Sequence, residues 1–209
     1  MNTGTSFSFF KSYYVDDTAC ILLSREEVVA ASKLIVSHFR RFGLTIHTGS
    51  KRKDEDSKTE ALHSPRPGQE SSAADMEDIE IDEDRFMSFC IKFKYLGSYF
   101  VPELNDTADI TERISQARKL FGSMNKQLLS NKEIPIDIRR RLYQATVVNI
   151  LLWGCESWAL KEADRSKLEA FHHGCLRRMC GWTMWDVAEK RITNEHVMIA
   201  VANSPKRAR

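Results

Sequence analysis

Strand-like runs of apolar residues dominate the first part of the chain. Residues 13–15 and 20–23 are β-prone and lie on either side of two adjacent acids, a pattern that predicts a β-hairpin. Shorter strand candidates follow at 44–46, 61–63 and 86–93. The last of these alternates apolar and polar residues in FMSFCIKF, as is typical of a strand with one buried face.

A helix is predicted among these strands, over residues 25–42. Ser24 and Glu27 have the spacing of a capping box, and Gly43 is a natural C-terminal cap. The apolar residues in between recur at every third or fourth position: Val28, Ala31, Ile35, Phe39 and Phe42. We therefore expect this helix to pack across the sheet.

Helical spacing takes over beyond Pro102 and predicts three helices. The second begins at Pro135, a suitable first helical residue, and the third ends near Gly181. Their apolar stripes are, in chain order, Ile110, Ile114, Ala117, Phe121, Met124 and Leu128; Ile138, Leu142, Ala145 and Val148; Leu168, Phe171, Cys175, Leu176 and Met179. The expected fold class is α+β, with a small helical bundle in the second part.

Charge separates the same two parts. Residues 1–84 carry 10 Lys/Arg against 16 Asp/Glu, whereas residues 85–209 carry 21 against 13. Eight of the acids lie in 70–84, which has no basic residue. Because 64–84 also lacks aromatic residues, we predict a disordered acidic loop there. The basic second part suits a polyanion, and an ordinary solvated helical surface is the alternative.

Composition limits the class of protein. The chain has 209 residues, of which 42% are hydrophobic, and no apolar run approaches the roughly 20 residues that cross a bilayer. Its N-terminus has no secretory leader pattern, and its five cysteines form an odd, scattered set that favours reduced thiols. We therefore expect an intracellular protein, cytoplasmic or nuclear, with no membrane span.

The acidic pair in the first hairpin, Asp16 and Asp17, is the first candidate for chemistry. An unpaired charge is costly to bury, but a divalent cation would neutralise two acids at the tip of a buried hairpin. Mg²⁺ prefers carboxylate oxygens and bridges them to phosphates, and two-metal phosphoryl transfer needs such acids on rigid strands. A polar hairpin turn is the simpler interpretation of two adjacent aspartates alone.

Several sequence blocks in a fixed order give the acids a context. They are YVDD at 14–17, FGLTIH at 42–47, SKTEALH at 57–63, FKYLGSYF at 93–100, the pattern RI..A...F at 113–121 and LLWGCESW at 151–158. This succession resembles the reverse transcriptases of non-long-terminal-repeat retrotransposons over most of the chain. The resemblance implies part of a polymerase palm, built of a β-hairpin, a helix and short strands, followed by a helical thumb-like bundle.

The resemblance also implies roles for the residues of the hairpin. Asp16 and Asp17 would be the metal-binding catalytic carboxylates, with Mg²⁺ as the cofactor. Tyr14 and Val15 would line the primer terminus.

A lysine is implied near the nucleotide. Lys58 resembles the family lysine that approaches the triphosphate, where an ammonium offsets charge on the leaving pyrophosphate or protonates it. Lys51 and Lys53 remain alternatives for that position, and a solvated surface lysine is the simpler interpretation.

Two further elements would hold nucleic acid. Tyr95, Leu96 and Gly97 resemble the primer grip, with a plain β-turn as the alternative. The helices would track backbone phosphates without reading sequence, through Arg139, Arg140, Arg141, Arg177 and Arg178. The partners implied are an RNA template, a DNA primer and deoxynucleotide triphosphates.

The expected organisation has five parts. They are the end of a palm at 1–63, the disordered loop at 64–84, a primer-grip-like hairpin at 85–104, thumb and post-thumb helices at 105–182 and a partly disordered tail at 183–209. The palm needs a further upstream carboxylate and the fingers, and the chain begins only thirteen residues before Tyr14. We therefore expect a fragment of an RNA-directed DNA polymerase that is inactive alone; the alternative is a non-catalytic nucleic-acid-binding or structural remnant of a retroelement.

One more cluster could bind a metal. His172, His173, Cys175 and Cys180 lie within nine residues, but Cys180 falls off the helix face that His172 and Cys175 share. A packed helix face is therefore favoured over a zinc site.

Overall fold

The computed structural model describes residues 11–65 and 76–202 and confirms the α+β class. Contacts divide the chain into two compact units, Met1–Asn105 and Asp106–Arg209. The strands are β1 (Lys11–Tyr14), β2 (Asp17–Cys20), β3 (Gly49–Ser50), β4 (Glu60–Leu62), β5 (Ile79–Glu80), β6 (Arg85–Cys90), β7 (Phe93–Tyr95) and β8 (Ser98–Phe100). The helices are α1 (Arg25–Arg41), α2 (Thr107–Met124), α3 (Ile136–Tyr143), α4 (Asn149–Leu151), α5 (Glu162–Cys180), α6 (Met184–Glu189) and α7 (Asn194–Ala202).

Strand β6 organises the main sheet of the first unit. It pairs antiparallel with β3 and β5 and parallel with β4. The hairpins β1–β2 and β7–β8 form separate two-stranded sheets. The strand expected at 86–93 is confirmed over most of its length, since β6 covers Arg85–Cys90.

The strand expected at 44–46 is wrong, because those residues are irregular and the pairing begins at Gly49. Glycine is required at that position by a close approach. A Cβ atom on Gly49 would lie 2.5 Å from the ring of Phe86, its partner on β6. A side chain at position 49 would therefore clash with the Phe86 ring.

Helix α1 begins where its capping pattern predicts. The Glu27 amide donates to Ser24 Oγ at 3.2 Å, as an N-cap requires. The buried residues of the helix are Ser32 and Val36, whereas Phe42 is 71% exposed. The face that packs on the rest of the unit is therefore rotated by about one residue from the predicted apolar stripe.

Part of the segment expected to be a disordered acidic loop belongs to the sheet. Strand β5 pairs with β6, and Ile79 is only 1% exposed. The prediction of disorder is wrong for this part of 64–84, because one apolar side chain and backbone pairing anchor it. Residues 66–75 lie outside the described residues.

Basic side chains offset the acids of this segment. Lys51 Nζ lies 2.6 Å from a Glu80 carboxylate oxygen, and Arg85 Nη2 lies 2.7 Å from Asp82. The hydrogen bond from Arg85 lowers the pKa of Asp82 to about 2. Both basic partners lie outside 70–84, so the acids of that run repel one another less than their local density suggests.

The first unit has a small apolar core. Among its described residues, the buried hydrophobic side chains are Val36, Ile79 and Met87. Many other apolar side chains of the unit are more than a third exposed, including Tyr13, Tyr14, Leu34, Phe42 and Ile91. Few buried contacts therefore stabilise this unit.

The second unit has a continuous core built by helices. The stripe predicted on α2 is confirmed at its centre, where Ile110, Ala117 and Phe121 are at most 1% exposed. The Phe121 and Tyr143 rings meet edge to face with centroids 6.2 Å apart. The core also contains Ile114, Leu129, Val147, Leu151, Leu168, Cys175, Leu176, Met179, Val197 and Val201.

Helix α3 and the turns after it bury a different stripe from the predicted one. The buried positions are Arg139, Tyr143, Val147 and Leu151, four residues apart, whereas Ile138 is 51% exposed. Residues Gln144–Val148 form a π-helical segment, so the chain departs here from the regular spacing on which the prediction rests.

The predicted tail contains two helices. Thr183 and Asp186 cap α6 with a reciprocal capping box, and α7 places Val197 and Val201 in the core. The prediction of a tail beginning at 183 is therefore wrong for the described residues up to 202. Residues 203–209 lie outside them. Within the described part of the chain, none of the helices has the length and apolarity needed to cross a membrane.

Candidate functional site

The predicted catalytic hairpin forms, with its acids at the tip. Strands β1 and β2 pair from Lys11↔Cys20 to Tyr14↔Asp17, which leaves Val15 and Asp16 as the two turn residues. Asp17 is the first residue of β2, and both aspartates are exposed. The expectation that this hairpin is buried is wrong for the described chain, because β1 and β2 pair only with each other.

The turn itself is strained at Val15. This residue has a φ of 55° and is 93% exposed. A β-branched side chain disfavours the left-handed region, and such strain concentrates at functional turns. At this exposure, the Val15 side chain has little contact with the described part of the chain.

The donor set of the hairpin suits a hard cation but is incomplete. Asp16 and Asp17 offer the carboxylate oxygens that Mg²⁺ prefers. Among the described residues, no group of three or more His, Cys, Asp or Glu side chains is placed to hold a metal ion. Within the described part of the chain, the two aspartates alone do not form a metal site.

The Tyr-Leu-Gly block forms a second tight hairpin. Strands β7 and β8 pair up to Tyr95↔Ser98, and the turn residues Leu96 and Gly97 have φ angles of 49° and 87°. Positive φ at both central residues is the geometry of a type I′ turn, whose twist matches that of the strands. Gly97 adopts it at no steric cost, whereas Leu96 is held there with its side chain 43% exposed.

A hydrogen bond joins the two hairpins. Tyr95 Oη donates to Ser12 Oγ at 3.1 Å, so the β7–β8 hairpin lies against the base of β1. The ring of Tyr95 also stacks on Phe93 with centroids 6.3 Å apart. The structure therefore brings together two candidate sites that lie 83 residues apart in sequence.

The other face of β7–β8 is basic and aromatic. Lys92 Nζ lies 3.9 Å and Lys94 Nζ 5.8 Å from the centroid of the Tyr99 ring. Ammonium groups over an aromatic ring are attracted by its π electrons. Sequence reasoning missed this cluster, although KFKYLGSY does show lysines interleaved with aromatic residues.

Lys58 lies exposed in a bend before β4, and β4 contacts β7. The predicted nucleotide lysine therefore lies just before a strand that contacts the β7–β8 hairpin. The alternative Lys51 is held by Glu80, and this hydrogen bond raises the pKa of the Lys51 ammonium. That partner makes Lys51 the weaker candidate for a triphosphate.

The basic residues of the second unit concentrate at one end. Helices α2 and α5 run in the same direction, since Thr107 Oγ1 donates to Asp164 at 2.8 Å at one end and Ser130 Oγ to the Arg178 carbonyl at 3.1 Å at the other. We call residues 118–141 and 170–182 the basic end, which has nine Lys/Arg and two Asp/Glu. The remaining residues of 106–202 have six Lys/Arg and ten Asp/Glu.

Arg139 is not part of the exposed basic surface. Its side chain is buried and donates to three backbone carbonyls, those of Leu129 at 3.1 Å, Ile134 at 2.9 Å and Met179 at 2.6 Å. Burial lowers the pKa of its guanidinium. The prediction that Arg139 contacts nucleic acid is wrong, because its hydrogen-bonding capacity is used inside the core.

The other predicted arginines reach the surface. Arg141 and Arg178 are exposed, and Arg140 and Arg177 are half-buried. Arg177 Nε donates to the His173 carbonyl at 3.2 Å, which orients this guanidinium along α5.

Arg118, which sequence reasoning missed, joins Arg178 at the basic end. Burial raises the pKa of the Cys175 thiol to about 11, and the two guanidinium groups oppose that rise. Arg118 is exposed on α2 and Arg178 is exposed on α5.

The candidate zinc cluster serves the core instead. Tyr143 Oη and His172 Nδ1 are 2.9 Å apart, and Cys175 is 3% exposed. Burial and the neighbouring His173 lower the pKa of His172. A neutral imidazole hydrogen-bonded to a buried tyrosine is the packed helix face that the sequence favoured.

The buried His172 makes the stability of the helical unit depend on pH. Its pKa is lower in the folded protein than the value of about 6.5 in an unfolded chain, so the unfolded state binds the proton more readily. Stability should be highest above this unfolded value and should fall as the pH drops below it. We expect His172→Gln to flatten this fall, measured by urea unfolding with tryptophan fluorescence at several pH values. An unchanged pH profile would contradict the assignment, and His38→Gln on α1 is the control.

The comparisons with known proteins find no counterpart. No protein-family model, curated protein or solved structure matches the chain.

Proposed function

We propose that this chain is the palm end and thumb-like part of a retrotransposon RNA-directed DNA polymerase. The observation that carries the proposal is the hydrogen bond between Tyr95 and Ser12, which joins the Tyr-Val-Asp-Asp hairpin to the Tyr-Leu-Gly hairpin. In the family that the sequence resembles, the first hairpin holds catalytic metal and the second grips the primer. Two such hairpins in contact are what a primer terminus beside a metal site requires.

The roles follow from the side chains present. Asp16 and Asp17 would hold Mg²⁺, which would supply charge stabilisation for a phosphoryl transfer. Val15 and Tyr14, both exposed, would border the primer end. Lys58 would offset charge on the triphosphate. The partners are an RNA template, a DNA primer and deoxynucleotides, and such an enzyme acts inside the cell, in the cytoplasm or nucleus.

The basic end would hold the nucleic-acid backbone. Two helices contribute most of its arginines: α3 carries Arg140 and Arg141, and α5 carries Arg177 and Arg178. Arg118 on α2 is a further contributor. Contacts of this kind neutralise phosphates and release counterions, and they do not read sequence.

We expect the full chain to bind a labelled primer–template duplex with an affinity that falls linearly with salt on a log–log scale. Arg177→Ala/Arg178→Ala should reduce the slope by about 2, because two phosphate contacts are lost. The matched control is Lys161→Ala/Arg165→Ala, which removes the same charge from the opposite end of α5. Fluorescence anisotropy at several salt concentrations measures both. Equal slopes for the two double variants would remove the basis for the proposal at the basic end.

A second candidate function is nucleic-acid binding without catalysis. It is favoured by the incomplete donor set, since the described residues place no third metal-binding side chain beside Asp16 and Asp17. The same protein supplied with Mg²⁺ and deoxynucleotides distinguishes the two functions. Because the polymerase fragment is expected to be inactive alone, the measured quantity is primer–template affinity. Tighter binding with Mg²⁺ and a deoxynucleotide that Asp16→Asn abolishes belongs to the polymerase fragment, whereas salt-dependent binding that neither addition nor substitution changes belongs to the binding protein.

A further inference from the structure

The short helix α6, which follows α5, presents a tryptophan to solvent. Trp185 is 68% exposed and its neighbour Met184 is 75% exposed. Asp186 accepts hydrogen bonds from the residues that flank α6. Thr183 N donates to Asp186 Oδ2 at 2.8 Å, and Lys190 Nζ donates to Asp186 Oδ1 at 2.9 Å. The exposed indole therefore stands on a short helix that is capped at its N-terminus.

Helix α6 begins directly after the basic end. The Trp182 amide donates to the Arg177 carbonyl at 3.0 Å, so the chain leaves α5 directly beside the two arginines. Lys132 lies over the same point, because a Cβ atom on Gly181 would be 3.3 Å from its Nζ. Trp185 follows Gly181 by four residues, which places its Cα within about 14 Å of that glycine.

The surroundings distinguish Trp185 from the other strongly exposed tryptophan of this unit. Trp153 is 60% exposed and in sequence comes five residues before Trp158, whose indole donates to Asp109 at 2.9 Å. That region carries the acids at the start of α2. The two indoles have similar exposure, and only Trp185 directly follows the basic end along the chain.

We propose that Trp185 stacks on a base of an unpaired nucleic-acid strand whose phosphates lie on Lys132, Arg177 and Arg178. The inference rests on the proposed function, to which it adds the class of ligand and a contact residue. Every base offers a π face, so aromatic stacking beside a cationic track binds single strands without sequence preference. In a duplex the base faces are already stacked on one another, and the indole gains no such contact.

The test uses the full-length chain and a fluorescein-labelled oligothymidylate at low salt. Trp185→Ala should weaken binding about fivefold or more, the loss expected for one base–aromatic stack. It should also remove most of the quenching of intrinsic tryptophan fluorescence by the unlabelled oligonucleotide. Trp153→Ala is the matched control and should change neither measurement. Because Trp185 is exposed, its replacement should leave the urea unfolding midpoint unchanged.

The outcomes separate this inference from the function on which it rests. If the oligonucleotide binds and Trp185→Ala has the affinity and quenching of the parent chain, the stacking inference is wrong and phosphate binding stands. The stacking inference is equally wrong if Trp185→Ala weakens binding to a duplex of equal length as much as it weakens binding to the single strand. If neither nucleic acid binds at low salt, both proposals fail, and Trp185 becomes a candidate contact for a protein partner.

Discussion

Arg139→Met is expected to cost the helical unit about 3 kcal/mol of unfolding free energy, a large share of the stability of a unit of this size. Methionine fills much of the same volume but donates no hydrogen bond. Three backbone carbonyls would lose their donor, and the two whose bonds are buried, at Leu129 and Met179, lie where helical segments end and lack intrahelical partners. The loss is that of desolvated acceptors, which costs more than the bonds contribute on average.

Urea unfolding followed by tryptophan fluorescence measures this loss, because all four tryptophans lie in the second unit. The matched control is Arg141→Met, the same replacement at an exposed position of the same helix, which should change stability by no more than about 0.5 kcal/mol. Equal effects of the two replacements would show that Arg139 does not hold α3 against the end of α5.

Ile79→Ala should unfold much of the first unit while leaving the second intact. Removing a buried isoleucine costs about 2–4 kcal/mol, and the described part of this unit buries only two other hydrophobic side chains, Val36 and Met87. Ile79 also anchors β5 against β6, so its loss releases an acidic strand from the sheet.

Amide hydrogen exchange of β6 is the direct measurement, since this strand pairs with three others. Its protection should be lost in Ile79→Ala and kept in Ile91→Ala, an isoleucine of the same unit that is 66% exposed. Tryptophan fluorescence should report an unchanged second unit for both variants. Retained protection of β6 in Ile79→Ala would show that the small core is not what stabilises the sheet.

The sequence predicts the elements whose signals are local. Helix α1 begins directly after Ser24 because the capping pattern lies within four residues of sequence. Ile110, Ala117 and Phe121 of α2 are buried as predicted because helical spacing of apolar residues is a local signal. The β1–β2 hairpin forms for the same reason. Its two acids were placed correctly at the tip, whereas its surroundings, which depend on distant residues, were not.

Signals that depend on distant partners were missed. The residues around Arg139 in sequence do not indicate that it is buried, because its acceptors are backbone carbonyls up to 40 residues away. The strand at Ile79 was not predicted because it lies among acids, and one of these, Glu80, pairs with Lys51, which is 29 residues away. The contact of Tyr95 with Ser12 has no local signal at all. The order of the two hairpin motifs was readable from sequence, and their adjacency was not.

The separation of charge along α2 and α5 has a kinetic meaning. Nine basic residues at one end and ten acidic residues in the remainder give the helical unit a directional field that its small net charge conceals. The parallel helix dipoles act against that field, because their negative ends lie at the basic end. The side-chain charges would orient an approaching polyanion before it touches the surface. Encounters at the acidic remainder of the unit would be repelled, so the polyanion would reach the basic end already oriented for binding.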